Sequence, residues 1–483
     1  MRRTVNALGK LNWGKRACAV FVLGAMTAIG LPAQTFTTLF KFDGTDGGQP
    51  QATLVQATNG ALYGTTSAGG ASNVGTVFKI TPGGRLTTLH SFCSQTNCTD
   101  GVAPNGLVQA TAGDLYGTTS RGGVNGYGTV FKITPSGTLT TLYSFCSQGV
   151  YPYCTDGDQP SAGLVQAANG DLYGTTGFGG AAAYGTVFKI TPGGTLTTLH
   201  SFYGGTDGHE PAGLVQAASR DLYGTTLLGG ADRTGTVFKI TPTGALTTLY
   251  SFCSQNGCTD GFSPNAGLVQ ATNGDFYGTT ADGGANGEGT VFKITPSGTL
   301  TTLYSFCSST NCREGSFPEA GLVQATDGDL YGTTHGSANN NGTVFKITPS
   351  GTLTTLYSFC SQSGCTDGQY PQAGLVQDTN GDFYGTTTGG GTGGNGTVFR
   401  LSVGLGPFVK TLPASGEVGA AIKILGSDLT GATSVTFNDT AATFTVVSAS
   451  LITTTVPATT TGRVLVVTPS GTLSSNVPFR VLP

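Results

Sequence analysis

Hydrophobic and polar positions along this chain alternate in short bursts of five to eight residues separated by glycine, proline and asparagine. The stretch AGLVQAANGDLYGTTGFGGAAAYGTVFKITPGGTLTTLHSF, Ala162 to Phe202, shows the pattern. Valine, isoleucine, threonine and aromatic residues supply strand preference, and turn residues mark every junction. The pattern predicts four strands: AGLVQA (Ala162 to Ala167), DLYGTT (Asp171 to Thr176), GTVFKIT (Gly185 to Thr191) and TLTTLHSF (Thr195 to Phe202). Asn169 and Gly170 suit a tight hairpin in which both central residues take positive φ. The PGG or PSG junction is equally short, the second junction is longer and glycine-rich, and the whole unit reads as an antiparallel meander.

This unit recurs. YGTT begins at Tyr63, Tyr116, Tyr173, Tyr223, Tyr277, Tyr331 and Tyr384, and each copy is followed by GTVFK, or by GTVFR ending at Arg400 in the last. A fixed period near 53 residues means a solenoid or a ring of sheets. Two orphan strands decide between them: TFTTLFKF (Thr35 to Phe42) precedes the first copy, and the seventh copy stops after its third strand. Together they complete one sheet, which is how a ring is latched and its edges removed. The expected fold is all-β: a seven-bladed β-propeller over residues 34–403, closed by the N-terminal strand. The tight turns fall on one face of the disc. The glycine-rich loops and the loops between repeats fall on the other, where long, variable loops on a rigid scaffold collect function. Residues 404–483 lack the repeat, tyrosine and cysteine, and their short threonine-rich strands predict a small immunoglobulin-like β-sandwich.

Residues 1–33 read differently. Arg2, Arg3, Lys10, Lys15 and Arg16 precede the 14-residue apolar run CAVFVLGAMTAIGL and then Pro32 and Ala33. This is the pattern of a secretory signal peptide cut after Ala33; the run is short of the roughly 20 residues of a spanning helix. The expected mature chain is secreted or associated with the bacterial cell surface and has no transmembrane segment. Loss of five basic and no acidic residues takes its formal net charge from −3 to −8, which disfavours nucleic acid as a partner. Cys18 and Trp13, the chain's one tryptophan, leave with the signal.

The other ten cysteines form five close pairs: Cys93 with Cys98, Cys146 with Cys154, Cys253 with Cys258, Cys307 with Cys312, and Cys360 with Cys365. Repeats that lack one partner lack both, which predicts local disulfides in an oxidising compartment rather than zinc ligands. Closing so short a loop contributes on the order of 2 kcal/mol per bridge.

Few residues offer chemistry. Asp-Gly follows each connection between repeats, at Asp46, Asp100, Asp156, Asp207, Asp260 and Asp367, with Arg313, Glu314 and Gly315 in the sixth. Asp100, Asp156, Asp207, Asp260 and Asp367 are candidate ligand-binding carboxylates on the long-loop face. The alternative is a set of Asp-Gly turns that only shape the connection, and calcium's six to eight oxygens are hard to gather from one carboxylate per repeat. Asp171 and Lys189 stand on neighbouring strands and predict a cross-strand ion pair in every repeat but the first, where Ala61 faces Lys79. The non-repeating His209, Glu210, Asp232, Arg233 and His335 complete no serine, histidine and aspartate set, and GGGTGGNG near Gly389 lacks the Lys-Ser/Thr ending of a phosphate loop. No catalytic residue, metal or cofactor is expected.

The copies of DLYGTT, GG and GTVFKI resemble the GloVer tandem repeat of secreted bacterial proteins, from Gln34 to Ser402. Pro413, Gly416, Gly419, IKILGSDL, GATSVTFND and the VP of TTTVP resemble an IPT/TIG immunoglobulin-like domain. The resemblance implies an exported repeat protein with a spacer or interaction module, and supplies no catalytic residue. The expected function is therefore that of a non-enzymatic scaffold engaging polysaccharide or a cell-surface protein, with near-identical repeats giving multivalent capture. The alternative is a carbohydrate-active lyase or glycosidase using His209, Glu210, Arg313, Glu314 and His335.

Overall fold

The computed structural model describes residues 34–337 and 341–482, so the expected signal peptide lies outside the described residues. The described chain is all-β. Seven four-stranded sheets of the repeat region share one antiparallel order. In the third, the strands are Val165–Gln166, Leu172–Thr176, Thr186–Ile190 and Leu196–Ser201. The three outer strands follow the hydrophobic pattern closely. The innermost is shorter than its apolar letters suggest, except in the second and fourth sheets, where Val102–Gln109 and His209–Gln216 continue through a register shift.

Close packing explains the repeated letters. A Cβ on Gly174 of YGTT would lie 2.6 Å from the Phe188 ring and 2.7 Å from Leu164, so only glycine lets the third-strand phenylalanine cross beneath it. The threonines after that glycine are buried, and Thr176 and Thr186 join hydroxyl to hydroxyl at 2.9 Å. The expected ion pair is present, with Lys189 Nζ 3.8 Å from Asp171 and Lys346 Nζ 2.9 Å from Asp329. One local expectation is corrected. In the first hairpin Gly170 alone takes positive φ, at +87°, while Gly170 N–H donates to Ala167 O and Ala167 N–H to Asp171 O. This is a type I turn closed by a glycine bulge rather than a turn with two left-handed residues. In the fourth sheet Arg220 occupies the bulge position at φ 73°.

Apolar clusters bridge consecutive sheets. Tyr173, Val187 and Phe202 of the third pack on Leu222, Phe238 and Ile240 of the fourth. The strand Thr35–Lys41 pairs antiparallel with Thr397–Ser402 of the seventh repeat, and Phe42, Tyr384 and Val398 pack on Leu54, Leu62 and Phe78 of the first sheet. Polar contacts repeat the same circuit. Gln109 accepts the Thr58 N–H of the preceding repeat at 2.9 Å; its counterparts Gln166, Gln216, Gln270, Gln324 and Gln377 do likewise, and Gln56 accepts from Thr379. The first and seventh sheets are therefore neighbours.

In the C-terminal segment, Lys410–Leu412, Ala421–Leu425, Leu451–Thr455 and Phe444–Ser448 form one sheet in spatial order Lys410, Ala421, Leu451, Phe444; Ser434–Phe437 and Val464–Thr468 lie at the centre of another. Ile422, Ile424, Val435, Phe437, Ile452, Val464 and Val466 share one core. This segment rests on the tight-turn side of the repeats. Lys423 Nζ donates to Thr111 O at 2.6 Å, Ser450 Oγ to Thr58 O at 3.2 Å, and Phe408 N–H to Thr379 O at 3.0 Å. The opposite, long-loop side makes none of these contacts. Among the described residues no helix is long and apolar enough to cross a membrane.

Candidate functional site

All five expected cysteine pairs are disulfides, which points to an oxidising, extracellular setting. Four of them clip loops organised around an Asp-Gly carboxylate, and Cys307–Cys312 clips the loop that holds Glu314. Asp260 accepts from Tyr250 Oη at 2.8 Å, Ser254 N–H at 3.0 Å and Ser254 Oγ at 3.1 Å. Asp156 and Asp367 have the same tyrosine and serine partners. At Asp100 and Asp207, His90 Nε2 and His200 Nε2 replace the phenol at 3.0 and 3.2 Å. Asp100, Asp156, Asp260 and Asp367 are fully buried, whereas Asp207 keeps a fifth of its side chain exposed. The proposed ligand carboxylates thus face into their own loops, where they pair with serine, tyrosine or histidine side chains and backbone N–H groups. This geometry favours the turn-shaping alternative.

Glu314 takes the same part in the sixth repeat, accepting from Ser308 Oγ and Ser309 N–H, each at 2.9 Å, and from Ser309 Oγ. Burial raises its pKa, but these hydrogen bonds outweigh burial and bring it down to about 2, unsuited to a proton donor near neutrality. The other residues of the enzymatic alternative are scattered. His209 Nδ1 is 3.7 Å from Glu210 Oε1, Arg313 is exposed beside Glu314, and His335 Nδ1 is 3.9 Å from Glu319 Oε1. Among the described residues no group of three or more histidine, cysteine, aspartate or glutamate side chains could hold a metal ion.

A cavity of about 660 Å³ lies where the innermost strands meet, lined by residues of all seven sheets, among them Gln51, Asn105, Ser161, Gly213, Asn265, Glu319 and Gln372. Six repeats contribute a glycine to it, and backbones approach closely there: a Cβ on Gly163 would meet Gly106 at 3.3 Å. Thr53 holds that position in the first repeat. A smaller pocket of about 200 Å³ shares several of these lining residues and adds Gln159, Phe178 and Glu210.

Next to the cavity-lining strands stands a set of residues that, Glu210 apart, sequence reasoning missed. Between each Asp-Gly or Glu-Gly and the following proline stand two variable residues, the second being Gln49, Ala103, Gln159, Glu210, Ser263, Phe317 and Tyr370. All seven take φ between 51° and 59°. The conformation aims each N–H at the glycine-rich loop of the preceding repeat; Gln159 reaches Tyr127 O at 2.9 Å, Glu210 reaches Tyr184 O at 3.1 Å, and Gln49 reaches Asn395 O at 2.9 Å. A non-glycine residue there costs on the order of 1 kcal/mol. Glycine would serve the backbone better, yet every repeat keeps a side chain. The available signal was variability itself, in a pair of positions flanked by near-invariant letters.

The Gloeobacter/Verrucomicrobia repeat model matches residues 20–155, 150–313 and 255–430, and the IPT/TIG domain model matches 408–481. The chain belongs to the Gloeobacter/Verrucomicrobia repeat family. Its C-terminal segment is an IPT/TIG domain. No curated protein matches it significantly. Similar solved structures include the extracellular domain of the hybrid two component system BT3049 from B. thetaiotaomicron, at 12% identity and TM-score 0.48, covering 87% of this chain and 50% of that one. The surface component PorZ of the type-IX secretion system of Porphyromonas gingivalis matches at 15% and 0.48, covering 88% and 58%. A fungal alcohol oxidase of the AA5 family in complex with copper matches at 12% and 0.49, covering 93% and 99%. This chain spans about half the length of the first of these, and likenesses this distant carry no argument about its chemistry.

Proposed function

We propose that this repeat-family chain is a secreted, non-enzymatic scaffold: a seven-bladed β-propeller over residues 34–403, closed by the N-terminal strand and followed by an immunoglobulin-like module at 404–483. It captures polysaccharide at or near the bacterial cell surface through its long-loop face. The seven-blade reading is supported by the pairing of Thr35–Lys41 with the last repeat and by the glutamine contacts that run from each sheet to the next and from the seventh to the first.

One observation carries the binding role. Seven near-identical repeats differ at the residue before the loop proline, and each holds a side chain there in a conformation that favours glycine; three of the seven, Ala103, Gln159 and Glu210, line the shared cavity or the smaller pocket. The IPT/TIG domain sits on the opposite side and leaves the long-loop side clear. A non-enzymatic role is supported by the scatter of the titratable residues and by Glu314 held as a carboxylate in its own loop.

The test is incubation of the oxidised protein with insoluble polysaccharides, scoring retention on the polymer and release of soluble sugar in one tube. Retention without release is expected. Release of sugar would make the chain an enzyme, with His209 and Glu210 as first candidates for replacement. Retention on none of the polymers would sink the polysaccharide reading and favour a protein partner.

A further inference from the structure

The seven sheets are not equivalent on their long-loop side. Among the described residues, every large, exposed hydrophobic side chain of the repeat region lies between residues 124 and 203: Val124, Val150, Tyr151, Tyr153, Phe178, Tyr184 and Tyr203. None belongs to the repeat signature. Phe178 stands where other repeats have Ala68, Arg121, Leu228, Asp282, Gly336 and Gly389. Val150, Tyr151 and Tyr153 belong to a loop found once, in which the Cys146–Cys154 bridge spans eight positions where the other four span five. The added residues fold as a small hairpin, Gly149–Val150 with Tyr153–Cys154.

These aromatics connect to the small pocket. Tyr151 stacks on Tyr127 with centroids 5.3 Å apart, and Tyr127 O receives the N–H of Gln159, a lining residue. Phe178 lines the same pocket at 40% exposure. On the far side Tyr184 O receives the N–H of Glu210, another lining residue, and the Tyr184 ring lies against Gly204, next to Tyr203. Aromatic rings thus flank a pocket whose polar side chains are Gln159, Ser161, Glu210, Asn265 and Ser120.

From this arrangement we infer that the sector around the third and fourth sheets is a subsite for a neutral polysaccharide strand, whose sugar rings stack on Tyr151, Tyr153 and Phe178 and whose hydroxyls bond to Gln159, Glu210 and Asn265. A sugar ring has an apolar C–H face and a hydroxylated rim, so it needs flat apolar surface alternating with amide and carboxylate groups. Rigid aromatics with a few placed polar groups supply that need. A protein-binding hot spot would want its apolar residues contiguous and its polar groups at the rim. The one charged lining residue is Glu210, and the chain is acidic overall, so an anionic polymer would be repelled rather than drawn in.

This inference rests on the polysaccharide reading above, and its test separates the two. The full exported chain is applied to microcrystalline cellulose, curdlan and chitin as neutral polymers and to cross-linked alginate as an anionic one. Phe178→Ala and the double variant Tyr151→Ala with Tyr153→Ala are each expected to lower the association constant on the retaining neutral polymer at least tenfold. Phe178→Trp is expected to restore it, and Val447→Ala, on the exposed surface of the IPT/TIG domain, to leave it unchanged. The exchanged side chains are exposed, so unaltered melting curves will show that the variants fold. Equal retention of the wild type and both aromatic variants would overturn the subsite and leave the polysaccharide reading standing. Preference for alginate would overturn the neutral ligand, and failure of the wild type on every polymer would overturn both readings.

Discussion

Asp158 is a carboxylate with no partner. It is fully buried, and neither oxygen has a hydrogen bond. Burial first, and then the neighbouring charge of Asp156, push its pKa up from 3.8 to about 6. A folded pKa above the unfolded one means that the native state holds the proton more tightly. This contribution to stability is therefore fully present below about pH 4 and is lost as pH rises through about 6. At about 1.4 kcal/mol per pKa unit the loss by pH 7 is of order 3 kcal/mol. Asp158→Asn stays neutral at every pH, and thermal melts from pH 4 to 7 should show the variant melting above the wild type at pH 7, with most of the fall between pH 4 and 6 removed. An unchanged slope would show that Asp158 is paired or hydrated in solution. The letters DGDQP mark Asp156 as the repeated Asp-Gly aspartate, with its partners in the same loop, but say nothing of the burial of Asp158, whose backbone pairs with Phe178 of the following glycine-rich loop.

At the scale of the element, the connecting loops are held twice, once by a disulfide and once by the Asp-centred hydrogen bonds. Replacing Cys253 and Cys258 together by serine should cost about 2 kcal/mol through loop-closure entropy. Asp260→Ala should cost a similar amount by leaving the Tyr250 hydroxyl and Ser254 donors without their acceptor. Because both fix one loop, the combined variant should lose less than the sum of the two, a coupling that urea denaturation can read. Strict additivity would mean that the two devices act on independent parts of the loop. The strands, the cysteine pairs and the Asp171–Lys189 type of ion pair were legible in the sequence because each depends on residue type at short spacing. The role of the Asp-Gly carboxylates and the circuit of glutamines were not. Both depend on which way a side chain turns relative to another repeat. The invariant glutamine of LVQ was the available signal, since a polar letter kept in all seven copies beside an apolar core calls for a repeated partner.

At the scale of the whole molecule the question is whether an end behaves as an end. In an open array each repeat answers only to its neighbours, so loss of a terminal strand is a local loss. Here the strand Thr35–Lys41 covers the seventh sheet, and Phe36 stacks on Tyr357 of the sixth at 3.7 Å and lies 5.4 Å from Phe399. Next to this junction Lys410 of the IPT/TIG domain donates to Gln377 O and lies 3.3 Å from Gln56 Oε1, joining the seventh and first repeats. Burial of Lys410 lowers its pKa to about 8 against the opposing pull of Asp378. A protein beginning at Phe42 should therefore lose far more than one strand's worth of stability, with a broad, early melting transition, and a synthetic peptide of residues 34–41 should restore the sharp one. Removal of residues 404–483 should leave the transition sharp and shift it less, because it takes away the outer contacts of the junction and none of its strands. If loss of the first strand instead shifts the midpoint slightly and leaves the transition sharp, the seven sheets behave as an open stack, and the cavity they share is no single site.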